Sequence, residues 1–425
     1  MAVVHVLCKK ACMSYAAKPL NIGIVGGGAS GVIAALALCE QNTYIAITIF
    51  ESGMHLGRGL AYQSEELTRL LNVPVEKMSA YENQPNHFAE WVLNQHPILL
   101  ESAHFPYVPR SIFGNYLQDL IRQMPQVQWV RERASDIQFR SEQWHILTDG
   151  DRTFTFDKCI IATGYQREIS IPWSHPNSKF IRSAHAADSI DDVAPNDPVI
   201  IVGAGLTAID MWRDLRTSGH RGVIHMISRR GRLPLSHLDT HPQGEFRIGQ
   251  AKSPRQVMRL ARVWQEQRQL PWPHIANLLR PQAQSIWQSW TPRERQQFIR
   301  HIKPYWEIIR HRVPATIAQE LNIELMLGRL VLQRGYIDSI SQDKKNLKLH
   351  AHQYSKCFSL EGSHIFLATG APIDPRFSEL ESLESSSLHF IGPVQKPRLW
   401  ESTAIPEIRQ QAQLLAIQLH ENKQI

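Results

Sequence analysis

Cysteine is scarce in this chain, and the arrangement of what is present excludes one chemistry. Cys8, Cys12, Cys39, Cys159 and Cys357 are the five cysteines among 425 residues. They form neither a disulfide framework nor a CxxC pair, so the redox dithiol of a disulfide reductase is missing. A reducing cytoplasm fits that usage, and Cys159, inside an apolar strand-like run, reads as a buried inert thiol. Long apolar runs are lacking too. No stretch reaches eighteen apolar residues, so no transmembrane helix is expected. Acidic excess is absent, with 46 Lys and Arg against 39 Asp and Glu and a formal charge of +7. A surface that attracts anionic cofactors accounts for this balance; nucleic-acid binding, the rival reading, has no support beyond the charge itself. Residues 1–18 lack the order of a secretory signal, because their lysines follow a short apolar patch. They read as a disordered extension, with Met13 as an alternative start.

The apolar fraction is 43% and the charged fraction 20%, as in ordinary globular proteins. A chain of this length is expected to divide into two compact domains. Residues Asn21–Val25 form a short apolar strand that opens onto Gly26-Gly27-Gly28-Ala29-Ser30-Gly31. A helix-favouring stretch follows from Val32 to Glu40, then the β-branched run Tyr44–Phe50, ending at Glu51. Strand, glycine turn, helix, strand and terminal acid make one βαβ unit. The glycines let backbone N–H groups approach a pyrophosphate at the positive end of a helix. Glu51 is placed to accept from a ribose 2′-OH and to repel a 2′-phosphate, which points to FAD or NAD.

The same pattern returns at Val199–Val202, Gly203-Ala204-Gly205-Leu206-Thr207 and the helix to Arg216. Its second strand, Val223–Ile227, ends without an acid, in Ser228-Arg229-Arg230. A hydroxyl and two guanidinium groups suit a dianionic 2′-phosphate, so NADPH is expected there. Two apolar strands end in Ala162-Thr163-Gly164 and Ala368-Thr369-Gly370. Residues 253–321 are helical in character, broken by Pro271, Pro273, Pro281 and Pro304, with Phe298, Ile302, Tyr305 and Ile309 on one apolar face. Pro406 is suited to open a last helix.

Together the first loop, Leu70-Leu71-Asn72-Val73-Pro74, Ser228–Pro234, Tyr305–Arg312 and Trp400–Arg409 resemble the FAD/NAD(P)-binding flavoprotein family that includes bacterial urate hydroxylases and aspartate N-monooxygenases. More distantly the chain is similar to flavin-containing monooxygenases, whose fingerprint Phe180–His185 approaches without matching. His185 reads equally as a surface or capping residue. The resemblance implies that Thr163, Gly164, Gly392, Thr403 and Ala404 join the first glycine loop and Glu51 around FAD. It also implies a flavin contact at Asn72, which by itself reads equally as a turn residue. Trp306, Arg310 and Arg312 are candidates for a substrate pocket; a packed tryptophan with solvated arginines is the alternative.

The expected fold is α/β, with two Rossmann-like dinucleotide-binding domains and a helical insertion. FAD would occupy residues 19–195 and 345–425, and NADPH 196–344, with the insert at about 253–321. The expected function is a monooxygenase in which a C4a-hydroperoxyflavin hydroxylates a small organic substrate with O₂. The alternatives are an NADPH-dependent flavin reductase serving a protein or quinone, and a non-catalytic nucleotide sensor or RNA-associated flavoprotein. No metal site is expected, and no catalytic acid or base stands out.

Overall fold

The computed structural model describes residues 18–42, 44–102, 104–165, 171–184, 190–238, 248, 253–344, 346–370, 385–396 and 398–421. His185 and all but the last residue of the expected extension lie outside them.

The first unit is a five-stranded parallel sheet in the order β16-β7-β1-β2-β3. Its strands are β1 (Leu20–Val25), β2 (Ile45–Phe50), β3 (Val127–Val130), β7 (Lys158–Ile161) and β16 (Leu388–Phe390). Helix α1 (Ala29–Gln41) covers one face, buried from Ser30 to Cys39, and packs in turn against α12 (Ile405–Glu421). On the other face lies an antiparallel sheet of β4 (Ala134–Arg140), β5 (Gln143–Thr148) and β6 (Thr153–Phe156). There Trp144, Ile146 and Phe156 bury Val25, Phe50, Cys159 and Ile161.

The second unit repeats this design. Its parallel sheet runs β11-β10-β9-β15-β8, from β8 (Ile181–Ser183), β9 (Val199–Val202), β10 (Ile224–Ser228), β11 (Leu330–Arg334) and β15 (His364–Leu367). Helices α5 (Leu206–Thr217) and α11 (Ala315–Met326) cover one face. The antiparallel sheet β12 (Tyr336–Asp343), β13 (Asn346–Gln353) and β14 (Lys356–Gly362) covers the other through Ile340, Leu347 and Leu349. With both faces covered, β9 and β15 are apolar and buried along nearly their whole length.

Sheet membership differs here from the division expected from sequence. Strands β8 and β15 fall within segments assigned to the first unit, yet both hydrogen-bond in the second sheet. The whole of β12–β14 also packs there. The reason is non-local: β15 completes the second parallel sheet beside β9, the place that β7 takes beside β1 in the first, while β8 and β16 are the corresponding edge strands.

The insert is a cluster of short helices, α6 (Pro254–Arg268), α7 (Trp272–Leu279), α8 (Ala283–Ser289), α9 (Pro292–His301) and α10 (Lys303–Arg310). Prolines stand in the first turns of α6, α7, α9 and α10, where their missing N–H costs nothing. Thr291 closes a capping box with Glu294 at the start of α9. Helix α11 was expected in the insert; its Ile317 and Leu321 instead join the core of the second unit. No helix among the described residues is long and apolar enough to cross a membrane.

Candidate active site

In each parallel sheet the central strand feeds a glycine turn whose first residue has a left-handed backbone. Gly26 has φ +102°, and a Cβ there would lie 2.8 Å from the carbonyl oxygen of Ala162. Gly203 has φ +125°, and its Cβ would lie 2.5 Å from the carbonyl oxygen of Ala368. The two Ala-Thr-Gly turns therefore do the same job, each crossing over its own glycine loop. Ala162 N donates to the Val25 carbonyl and Ala368 N to that of Val202, both at 2.8 Å.

Hydrogen bonding within α1 starts with Val32 N donating to Gly28 O, and within α5 with Ile209 N donating to Gly205 O. Neither helix has a side-chain cap or an acid in its first turn. Both N-termini therefore present free N–H groups and partial positive charge, the requirements of a phosphate site.

The ends of the second strands differ as their residues do. Glu51 accepts from Gly27 N at 3.1 Å and Gly53 N at 2.8 Å, which ties the carboxylate to the glycine loop. Lone pairs remain on both of its oxygens for a diol. In the second unit Ser228 is half-buried at the end of β10, and its Oγ accepts from Gly231 N at 3.1 Å. Arg229 is exposed, whereas Arg230 lies over the ring of Tyr305 at 5.5 Å and Arg232 at 5.1 Å.

The C-terminal residues proposed for FAD line the same corner. Gly392 abuts Ser30 at the head of α1, and its N–H donates to Gln411 Oε1 at 2.9 Å. Thr403 and Ala404 stand at the start of α12, where Ala404 O accepts from Glu407 N and Ile408 N. Among the described residues, two hydroxyls here are buried and lack a partner, those of Thr163 and Ser402. Orphaned polar atoms of this kind are what a polar cofactor would satisfy. Ser402 was not anticipated, since an isolated serine carries no sequence signal. Gly57-Arg58-Gly59 was also missed: Gly57 N donates to Gly27 O at 2.8 Å, Gly59 abuts Gly28, and Arg58 pairs with Glu65. A pair of glycines flanking an arginine, close behind the first βαβ unit, was the available signal.

Trp306 and Arg310 are buried, and both engage the segment leading into α12 rather than solvent. Trp306 Nε1 donates to Glu401 Oε1 at 2.6 Å, and its ring packs on Trp400 at 4.8 Å. Arg310 lies 3.7 Å from Glu401 and 3.4 Å from Glu407. The core of the insert, including Trp287, Trp290 and Phe298, closes around Trp400. Thus the insert docks on the first unit's last segment, and Arg310 is matched by carboxylates instead of facing open space.

Asn72 meets the second unit through its backbone: His237 Nε2 lies 2.9 Å from its carbonyl oxygen. A carbonyl only accepts, so the His237 proton resides on Nε2. Burial, with Arg312, Lys77 and Arg310 nearby, pushes His237 down to about 4, opposed by the Asn72 contact.

Residues 23–166 match the FAD-NAD(P)-binding family, and residues 98–246 match the L-lysine 6-monooxygenase/L-ornithine 5-monooxygenase family. Over 165 residues the chain is 28% identical to the uncharacterised protein YdhS of Escherichia coli K12, covering 34% of this chain and 30% of that one. The matched stretches span less than half the length of the curated relatives concerned. Among solved structures, the ornithine N-hydroxylase of Kutzneria sp. 744 is similar with a TM-score of 0.65 at 14% identity, over 95% of this chain and 99% of that one. The cadaverine monooxygenase of Erwinia amylovora gives 0.65 at 11%, over 94% of both chains. This chain therefore shares its two-unit fold with the ornithine N-hydroxylase and the cadaverine monooxygenase.

Proposed function

We propose that the protein is an FAD-dependent, NADPH-using monooxygenase that oxygenates a small organic substrate. The observation that carries this reading is the duplicated glycine cradle with opposite second-strand ends, a carboxylate at Glu51 and Ser228-Arg229-Arg230 in the other unit. Both matched families and the similar N-hydroxylases support it. The narrower resemblance, to urate hydroxylases and aspartate N-monooxygenases, makes an anionic or amino-bearing substrate part of the same proposal. In balance, substrate, O₂, NADPH and a proton give hydroxylated substrate, NADP⁺ and water.

FAD, once bound, supplies the redox chemistry. The chain's own residues bind and orient. The N-termini of α1 and α5 and their glycine loops hold the diphosphates, and Glu51 holds the ribose of FAD. Thr163 and Ser402 offer their unpartnered hydroxyls to the flavin side. The start of α12 at Thr403 and Ala404 places partial positive charge where the reduced flavin would carry negative charge. Helices α7–α10, docked around Trp400, exclude water from that corner.

Purified protein supplied with FAD should retain it non-covalently, and NADPH should be preferred over NADH by about tenfold, the value of one charge-assisted contact of about 1.4 kcal/mol. Arg229→Ala, which removes an exposed guanidinium, should raise the apparent constant for NADPH and leave that for NADH nearly unchanged. Stopped-flow reduction followed by mixing with O₂ tests the oxygenase step itself. Oxygen consumption matched entirely by released peroxide, with every candidate substrate, would assign the protein to the flavin reductases.

A further inference from the structure

Three arginines and two carboxylates meet where the insert docks on the first turn of α12 and the segment before it. Arg280 Nε lies 2.6 Å from Glu407 Oε1, and Arg310 approaches both Glu407 and Glu401. Two guanidinium charges are thereby matched by two carboxylates. Arg312 is left over. It is 7% exposed, and among the described residues its polar partner is the neutral Asn277, 2.6 Å from Nη2. Its Nε is buried and donates to no described residue. Burial holds its guanidinium below the ordinary arginine range, as do Arg310 and Arg280, while Tyr107 opposes them.

A buried cation without a counter-charge is costly, and no carboxylate among the described residues supplies one, so its retention points to an anion that arrives from elsewhere. Neither dinucleotide cradle accounts for it. The pyrophosphate sites are at Gly26–Gly31 and Gly203–Thr207, and the 2′-phosphate site is at Ser228–Arg230. Arg312 belongs to another junction: its neighbour Val313 bonds to Leu235 and His237, and His237 reaches Asn72. First unit, second unit and insert all converge there. We infer that Arg312, supported by Asn277, is the anchor for a carboxylate of the oxygenated substrate. This rests on the monooxygenase reading for the word substrate, though not for the anion site itself.

Acetate and acetamide, which have the same shape and differ in charge, probe the site directly in the FAD-loaded full chain at constant ionic strength. Acetate at ~0.1 M should raise the melting temperature by about 2 °C and acetamide should not. Arg312→Gln should abolish the acetate response without lowering the melting temperature of the anion-free protein, since an unmatched buried charge has gone. Arg312→Lys should keep part of the response. Equal stabilisation of wild type and Arg312→Gln by acetate would overturn the assignment, as would a melting temperature lowered in Arg312→Gln with the acetate response intact. An NADP⁺ titration separates the two sources of anion. If Arg312→Gln weakens NADP⁺ about tenfold and spares acetate, the partner is a nucleotide phosphate and the inference fails. FAD content and NADPH-dependent flavin reduction, read on the same samples, report the proposed function separately. Finally, L-lysine should stimulate or inhibit NADPH oxidation differently from cadaverine, which lacks only the carboxylate, and that difference should vanish in Arg312→Gln; persistence of the difference would count against Arg312.

Discussion

Gly203 and Gly205 stand two residues apart in one loop, and a methyl group on each meets opposite surroundings. At Gly203 it would press on the Ala368 backbone from a left-handed conformation, whereas at Gly205 nothing lies within 4 Å and φ is −86°. Gly203→Ala should therefore destabilise the second unit by about 2–4 kcal/mol, the sum of strain and a forced backbone shift. Gly205→Ala should leave thermal unfolding unchanged and weaken NADPH about tenfold by blocking the phosphate, as read by nucleotide titration. Equal stability losses would remove the distinction.

His237 supplies a pH test. Its folded pKa of about 4 lies below its ordinary 6.5, so the unfolded chain binds more protons between those values. This contribution to stability is complete above pH 6.5 and is lost as pH falls toward 4. Denaturant midpoints between pH 7 and 5 should fall less steeply in His237→Gln, which keeps a donor for Asn72. An identical slope in both proteins would show that His237 does not report this linkage.

At the scale of elements, the insert is tied to the segment before α12 by Trp306 and Arg310. Removing Arg310 leaves Glu401 without its guanidinium in a site where both side chains are less than one-tenth exposed. Breaking such a pair costs about 3–5 kcal/mol. Arg310→Ala should lower the melting temperature and speed loss of FAD, whereas Trp306→Phe, which keeps an aromatic ring packed on Trp400, should cost mainly the hydrogen bond, about 1–2 kcal/mol. Unfolding curves and flavin release rates check both; an Arg310→Ala protein of unchanged stability would mean that the pair contributes nothing.

The glycine loops were legible because strand, turn and helix are neighbours in sequence, and the same locality made Glu51 and Ser228-Arg229-Arg230 readable. The allegiance of β15 was not, since a four-residue apolar strand fits either sheet equally well. The repeated Ala-Thr-Gly was the unread clue, as each copy closes the glycine loop of its own sheet. Nor could the sequence place Trp400 in the core of the insert, ninety residues after α10 ends at Arg310. That contact depends on how two units dock.

For the molecule as a whole, one side of α5 fastens the second unit to the first. Asp214 of α5 accepts from Thr68 Oγ1 and Arg69 Nε at 2.8 Å each, and Asp210, one turn earlier, pairs with Arg110 at 2.7 Å. The helix whose N-terminus would hold NADPH is thus fastened along its side to the unit that would hold FAD. Asp214→Ala should unpair Arg69 and uncouple the domains, giving two calorimetric transitions where the unmodified protein gives one. A single transition displaced as a whole would show that the clamp lies elsewhere.

The docking of Trp400 also sets an order of assembly. During synthesis the insert leaves the ribosome well before Trp400, and α1 emerges long before α12, the helix that packs on it. Neither the sheet covered by α1 nor the helical cluster can close a finished core until the segment from Trp400 through α12 is released. A chain stopped before residue 398 would lose the lid of its first unit and the centre of its insert together, while β8–β15 would keep every strand of the second sheet.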